Sequence, residues 1–188
     1  MEKDLIQVSS HILRVVLYGP ESTGKTTLAQ ALANHFQTEW VREFARDYLQ
    51  KKWEEEQAAC TQKDLPIIVA GQLELENQKV IKANQVLFCD TNVMVTRVWS
   101  ETHFNGYCDP QILYYSENLV YDLYLLTGID IPWLKDDLRD RPNDRQLMFD
   151  HFKKTLVQHK KNYYLLEGDH KTRLKKAVEI MNDFLKKN

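Results

Sequence analysis

Apolar positions along the chain fall into two kinds of segment. Short, nearly unbroken runs read as strands covered on both faces: "ILRVVLY" at Ile12–Tyr18, "QVLFC" ending at Cys89, "YDLYLL" at Tyr121–Leu126 and "NYYLLE" at Asn162–Glu167. A shorter run, "TEWV", reads as one further strand between the first two of these. Between them, apolar residues recur at three- and four-residue spacing, which predicts helices. Leu28, Leu32 and Phe36 share a face of a helix starting at Lys25, and Phe44, Tyr48 and Leu49 mark a second. A long helix is expected from near Pro66, capped by Asp64 and carrying Ile68, Gly71, Leu75 and Lys79. The last runs from about Lys171 to Leu185, with Leu174, Ala177, Val178, Met181 and Leu185 on one stripe. Strands separated by helices predict an α/β fold, a five-stranded parallel sheet with helices on both faces.

Composition narrows the setting. A chain of 188 residues suits a single domain over 1–188, and 43% hydrophobic with 28% charged residues is ordinary for a globular protein. The net charge of −2 offers no basic surplus for nucleic acid or an anionic membrane. No apolar run is long enough to span a bilayer and no signal-peptide pattern opens the chain. Cys60, Cys89 and Cys108 lack ligand or disulfide spacing, so a reduced, cytoplasmic setting is expected. The six histidines are scattered, which argues against a zinc site. The Trp53-Glu-Glu-Glu run reads as a solvated helix face, and Phe104 and Tyr114-Tyr115 read as core or as aromatics reaching a substrate ring.

"GPESTGKTT", Gly19–Thr27, follows the first strand and opens the first helix. Gly19-x-x-x-x-Gly24-Lys25-Thr26 in that context fits a phosphate-binding loop and a three-layer P-loop NTPase fold. Backbone N–H groups of Glu21, Ser22, Thr23 and their neighbours would wrap a phosphate, with the helix N-terminus adding partial positive charge. Lys25 supplies a point charge for β- and γ-phosphates, Thr26 a hydroxyl for Mg²⁺, and Thr27 a further polar group. The expected ligand is a nucleoside triphosphate, ATP, with Mg²⁺.

Other strand ends carry the rest of the chemistry. "VREFARDYL" puts Glu43 at the carboxyl edge of the sheet, with Arg46 one helical turn on and Asp47 beside it. Glu43 either accepts a proton from a substrate hydroxyl or holds ribose hydroxyls, while Arg46 steers phosphate; an exposed Glu–Arg pair is the plainer alternative. "VLFCDTN" closes an apolar run on Asp90, which either faces Mg²⁺ or serves as a helix cap. "GIDIPWLKDDLRDRPNDR" interleaves Arg139, Arg141 and Arg145 with Asp136, Asp137, Asp140 and Asp144. It reads as a lid over about 128–145 whose arginines meet the transferring phosphoryl group, or as a solvated loop of paired charges. Trp133 inside it either stacks on an aromatic substrate base or anchors the segment. "EGDHKTR" opens the last helix; Asp169 and Arg173 there are candidates for the nucleotide's base pocket, or Asp169 is simply a cap.

Taken together, "GPESTGKTTLA", "VREFARDYL", "FCDTN", "DIPWLKDDLRDRPNDR" and "LLEGDHKTRLKKAVEI" resemble the ribosylnicotinamide kinase domain of NadR-type proteins, in the same order along nearly the whole chain. The resemblance implies a nucleoside-kinase-like fold with the loop after the first of five parallel strands. It also implies ATP-dependent phosphorylation of nicotinamide riboside to nicotinamide mononucleotide. In that family the third-strand motif is often Asp-Thr-Asp; here Asn92 stands in the last place. Longer members carry an adenylyltransferase domain, whose Gly-His-x-x-His-like motif is missing here, so a stand-alone kinase domain is expected. Under this reading Thr26 and Asp90 organise Mg²⁺, Lys25 bridges phosphates, Glu43 or Asp90 takes the 5′-hydroxyl proton, and Arg139 and Arg145 stabilise the transferring group. Rival readings are a kinase of another nucleoside or nucleoside monophosphate, and an ATP-dependent regulatory switch.

Overall fold

The apolar runs become strands because both of their faces are covered. A computed structural model describes residues 5–139 and 141–187, so Asp140 of the charged connection lies outside the described residues. The elements in chain order are β1 (Leu13–Tyr18), α1 (Lys25–Phe36), β2 (Trp40–Val41), α2 (Phe44–Glu56), α3 (Asp64–Val80), β3 (Val86–Asp90) and α4 (Val93–His103). They continue with α5 (Pro110–Asn118), β4 (Leu123–Thr127), α6 (Arg145–Gln158), β5 (Tyr163–Leu166) and α7 (His170–Leu185). Alternate strand residues point to opposite layers. Val15, Leu17, Phe88, Leu123 and Leu125 pack with Leu28 and Leu32 of α1 and Ala177 and Met181 of α7. Val16, Tyr18, Leu87, Cys89, Tyr124 and Leu126 pack with Val80, Met94, Val98, Phe152 and Leu156 on the other face. The expected three-layer α/β fold is present.

All strand pairs are parallel, in the order β2–β3–β1–β4–β5. Register then places the site. Leu17 pairs with Asp90, and Val41 with Cys89, so the ends of β1, β3 and β2 finish within a residue or two of each other along one edge. That edge is where open α/β sheets bind ligands.

Three local expectations change. "TEWV" yields only Trp40–Val41, because the Thr38 hydroxyl donates to Val86 O at 2.6 Å and accepts from Asn84 N, a side-chain tie in place of ladder bonds. β4 starts at Leu123 and reaches Thr127; Tyr121 instead directs its hydroxyl to Glu76. Asp64 does not cap α3 but is its first residue. Its carboxylate accepts from Thr61 N, Tyr48 Oη and Lys52 Nζ, fastening α2 to the start of α3. Gly71 completes that packing, since a Cβ there would collide with the Phe44 ring. Among the described residues no helix is long and apolar enough to cross a membrane.

Candidate active site

The loop between β1 and α1 turns on positive φ angles at Gly19 (137°), Ser22 (52°) and Gly24 (79°). Such alternation brings successive N–H groups onto one concave side, and the first turn of α1 adds N–H groups without intrahelical partners. Gly19 has a second reason to be glycine: a Cβ would sit 2.8 Å from Thr127 Oγ1. Thr23 is buried, its hydroxyl bonded to Pro20 O at 2.8 Å and to Thr127 Oγ1 at 2.7 Å, so it braces the loop. Lys25 Nζ donates to Pro20 O at 2.7 Å.

Asp90 is buried at the end of β3. One carboxylate oxygen accepts the Thr26 hydroxyl, and the other, Oδ1, is buried without a hydrogen-bond partner. The capping role expected as an alternative falls to Asn92, whose side chain accepts from Met94 N and Val95 N. A hydroxyl and an unsatisfied carboxylate oxygen beside a phosphate loop suit Mg²⁺, which takes one or two protein oxygens plus phosphates and water. No group of three His, Cys, Asp or Glu side chains able to hold a metal occurs among the described residues. Burial raises the Asp90 carboxyl above the usual range, opposed by Lys25 and the Thr26 hydroxyl. Thr91, next in chain, is buried with φ 71°, a strained setting for a β-branched residue.

Glu43 precedes α2 and borders the same cleft. Burial and the Asp90 charge push its carboxyl up to about 7, opposed by Lys25, Arg46 and Arg139. A carboxyl in that range can exchange a proton near neutrality. Phe44 N, beside it, donates to Gln72 Oε1 of α3 at 2.8 Å, which fixes the start of α2.

The connection 128–144 is held on two sides. Leu134 N donates to Ser22 Oγ at 2.8 Å, and Arg145 Nη1 to Ile131 O at 2.9 Å. Toward α2, Asp136 Oδ2 accepts from Arg46 at 2.6 Å and pairs with Arg139 Nε at 3.0 Å. Arg141 Nη2 donates to Thr102 O at 3.0 Å. Together these elements enclose a cleft of about 730 Å³ bordered by Glu21, Thr26, Thr27, Glu43, Asp90, Trp133, Arg139 and Arg145.

A family model described as an AAA domain matches residues 14–173. The chain belongs to this AAA-domain family. The NadR resemblance is also borne out. The AAA-domain chain is 27% identical over 177 residues to the trifunctional NAD biosynthesis/regulator protein NadR of Salmonella typhimurium, covering 91% of this chain and 42% of that protein. The Escherichia coli protein of the same name matches to the same extent. The chain thus spans about two fifths of the length of these curated relatives. A crystal structure of NadR in complex with NR superposes with a TM-score of 0.75 at 23% identity, over 93% of this chain and 52% of that one. Thymidylate kinase from Ehrlichia chaffeensis shares the fold at a TM-score of 0.63 and 12% identity, over 92% and 98% of the two chains.

Two residues of the AAA-domain chain that the sequence offers for the nucleotide's base make other bonds in the structure. Asp169 is exposed and caps α7 through Thr172 N. Arg173 is buried behind the phosphate loop, where it donates to Thr23 O at 2.7 Å and to Gly128 O and pairs with Asp130. Neither borders the cleft, whereas His170 does. The sequence reading also passed over Trp99 and His103, whose rings stack with centroids 3.9 Å apart on the cleft side of α4. Their signal was present: Val95, Trp99 and His103 recur every fourth residue directly after the Asp90 motif. Phe104 and Tyr115 instead pack into the α3–α5 core, and Tyr114 is exposed.

Proposed function

We propose that the chain is a kinase that uses ATP and Mg²⁺ to phosphorylate the 5′-hydroxyl of a ribonucleoside, with nicotinamide riboside as the substrate, in a cytoplasmic setting. The observation that carries the reading is the placement of Glu43, with its raised carboxyl, in one cleft with Asp90 and the loop lysine. In this reading residues 1–188 act as one domain, with 128–145 as a lid.

The chemistry follows from what each group can do. Phosphoryl transfer needs positioning and charge stabilisation more than covalent help. The loop amides and Lys25 hold the triphosphate. Thr26 and Asp90 would hold Mg²⁺, which when bound would offset the negative charge of the triphosphate. Glu43 accepts the proton of the attacking hydroxyl, and Arg139 balances charge on the group in flight; Arg145, expected beside it, is instead bonded to Ile131 O and Ser22 O. A cationic nicotinamide ring fits the acceptor side, where Glu43 supplies a carboxylate and Trp99 an aromatic wall. On the same side Arg46 and Arg139 share the one carboxylate of Asp136, which leaves positive charge over for a phosphoryl group, and Arg42 pairs with Asp47.

The test is a panel of nucleosides with ATP and Mg²⁺, followed by a pH profile. Nicotinamide riboside should stimulate ATP turnover; indifference to every nucleoside would support the switch reading instead. Glu43 works as a base only when deprotonated, so kcat/KM should fall as pH drops through about 7. Glu43→Gln should lose that acid limb and about 10²-fold or more in rate, with ATP affinity by calorimetry nearly unchanged. Weakened ATP binding with intact nucleoside binding would contradict the assignment of Glu43 to the acceptor.

A further inference from the structure

Trp133 was read from sequence as a surface for the acceptor's ring or as an anchor, and its surroundings point to another partner. Residues 131–134 lie on the phosphate loop. Ile131 Cδ1 is 3.4 Å from where a Cβ on Gly24 would stand, and Leu134 N bonds Ser22 Oγ at 2.8 Å. Arg145 ties the segment down, through Ile131 O at 2.9 Å and Ser22 O at 3.5 Å, and its guanidinium lies 5.8 Å from the centroid of the Trp133 ring. Asp136, two residues beyond Leu134, bonds the acceptor side through Arg46 of α2.

The direction of a bound triphosphate follows from the proposed chemistry. Its terminal phosphate must face Thr26, Asp90 and Glu43, so its base must lie at the other end of the loop. Ser22, Trp133, Arg145 and His170 border the cleft, and Arg173 of α7 brings His170 close to the loop through its bond to Thr23 O. Trp133 is half-buried and borders the cleft while Arg145 lies against its ring. An aromatic ring backed by a guanidinium is a stacking surface for a heteroaromatic base.

We infer that Trp133, backed by Arg145, is a specificity-determining wall for the base of the phosphoryl donor and not for the acceptor. The inference rests on the kinase reading and sharpens one side of it. Trp99, across on α4, is left as the aromatic surface of the acceptor side.

The experiment compares wild type, Trp133→Leu and Trp133→Phe with three probes: ATP, inorganic tripolyphosphate and nicotinamide riboside. Tripolyphosphate fills the loop without a base, so it separates stacking from support of the loop. Trp133→Leu should weaken ATP binding about tenfold, in the range of one lost base–aromatic stack, and leave tripolyphosphate affinity and the nucleoside KM within about twofold. Trp133→Phe keeps a ring and should recover most of the ATP affinity. Equal losses for ATP and tripolyphosphate would make Trp133 a prop for the loop and overturn the inference. So would a raised nucleoside KM with ATP binding intact, or no change at all. Wild-type protein that binds neither ATP nor tripolyphosphate would defeat the kinase reading itself, and the inference with it.

Discussion

Lys25→Ala should fold like the parent and lose about 10³-fold or more in phosphoryl transfer. The fold has little to lose, because Lys25 Nζ makes its hydrogen bond to Pro20 O, an oxygen that also accepts from the Thr23 hydroxyl. Backbone N–H groups of the loop stay in place, so some ATP binding should persist. Turnover falls because the missing charge stabilises the transferring group most as its bonds loosen. A second effect separates this variant from a general weakening. Lys25 is a cation that holds the Glu43 carboxyl down against burial and Asp90. Without it the acid limb of residual activity should move to higher pH. Single-turnover rates across a pH series, beside a thermal melt, check both parts. Near-wild-type turnover would remove the phosphate-loop assignment.

Asp90→Asn should abolish turnover while leaving stability equal or slightly raised. The sign comes from the carboxyl's surroundings. Burial lifts its pKa in the folded protein, so its charged form at neutral pH is less favourable there than in the unfolded chain. Asparagine keeps an acceptor for the Thr26 hydroxyl and removes that charge, and it also relieves Glu43 of a like charge that raises its carboxyl. Function moves the opposite way, since Oδ1 loses the charge that suits it to Mg²⁺. The expected result is a loss of about 10³-fold or more with a melting temperature no lower than the parent's, a trade of stability against activity. Activity that survives with unchanged Mg²⁺ dependence would place the metal elsewhere.

The parts of this site that could be read from sequence are those with local causes. Gly19–Thr27 was legible because a strand, a spacing and a helix start all lie within one short stretch. Asp90 and Glu43 were legible because one closes an apolar run and the other lies two residues past the end of one. Their mutual position was not, since it depends on β3 lying between β2 and β1, a matter of long-range pairing. Arg173 shows the same limit from another direction. From sequence it is a candidate for the nucleotide's base pocket, yet here it reaches inward to Thr23, 150 positions earlier. Asp64 was assigned to a cap by its place before Pro66, and the hydroxyl and ammonium groups of Tyr48 and Lys52 drew its carboxylate away. The charged connection was seen as lid or as self-paired loop. The structure contains both kinds of bond, Arg139 to Asp136 within it and Asp136 to Arg46 across 90 residues.

That connection is fastened at both flanks, to the phosphate loop through Leu134 and Arg145 and to α2 through Asp136. A strap with two moorings reports each of them to the other. If ATP tightens the loop-side mooring, it changes the wall that a nucleoside meets, and the converse holds with equal force. Thermodynamic linkage then demands a single number: the factor by which ATP raises nucleoside affinity must equal the factor by which the nucleoside raises ATP affinity. Calorimetry with a non-hydrolysable ATP analogue, in both orders of addition, should return that common factor and find it above one. A value of one would mean that the strap is rigid and that the two ligands bind as strangers.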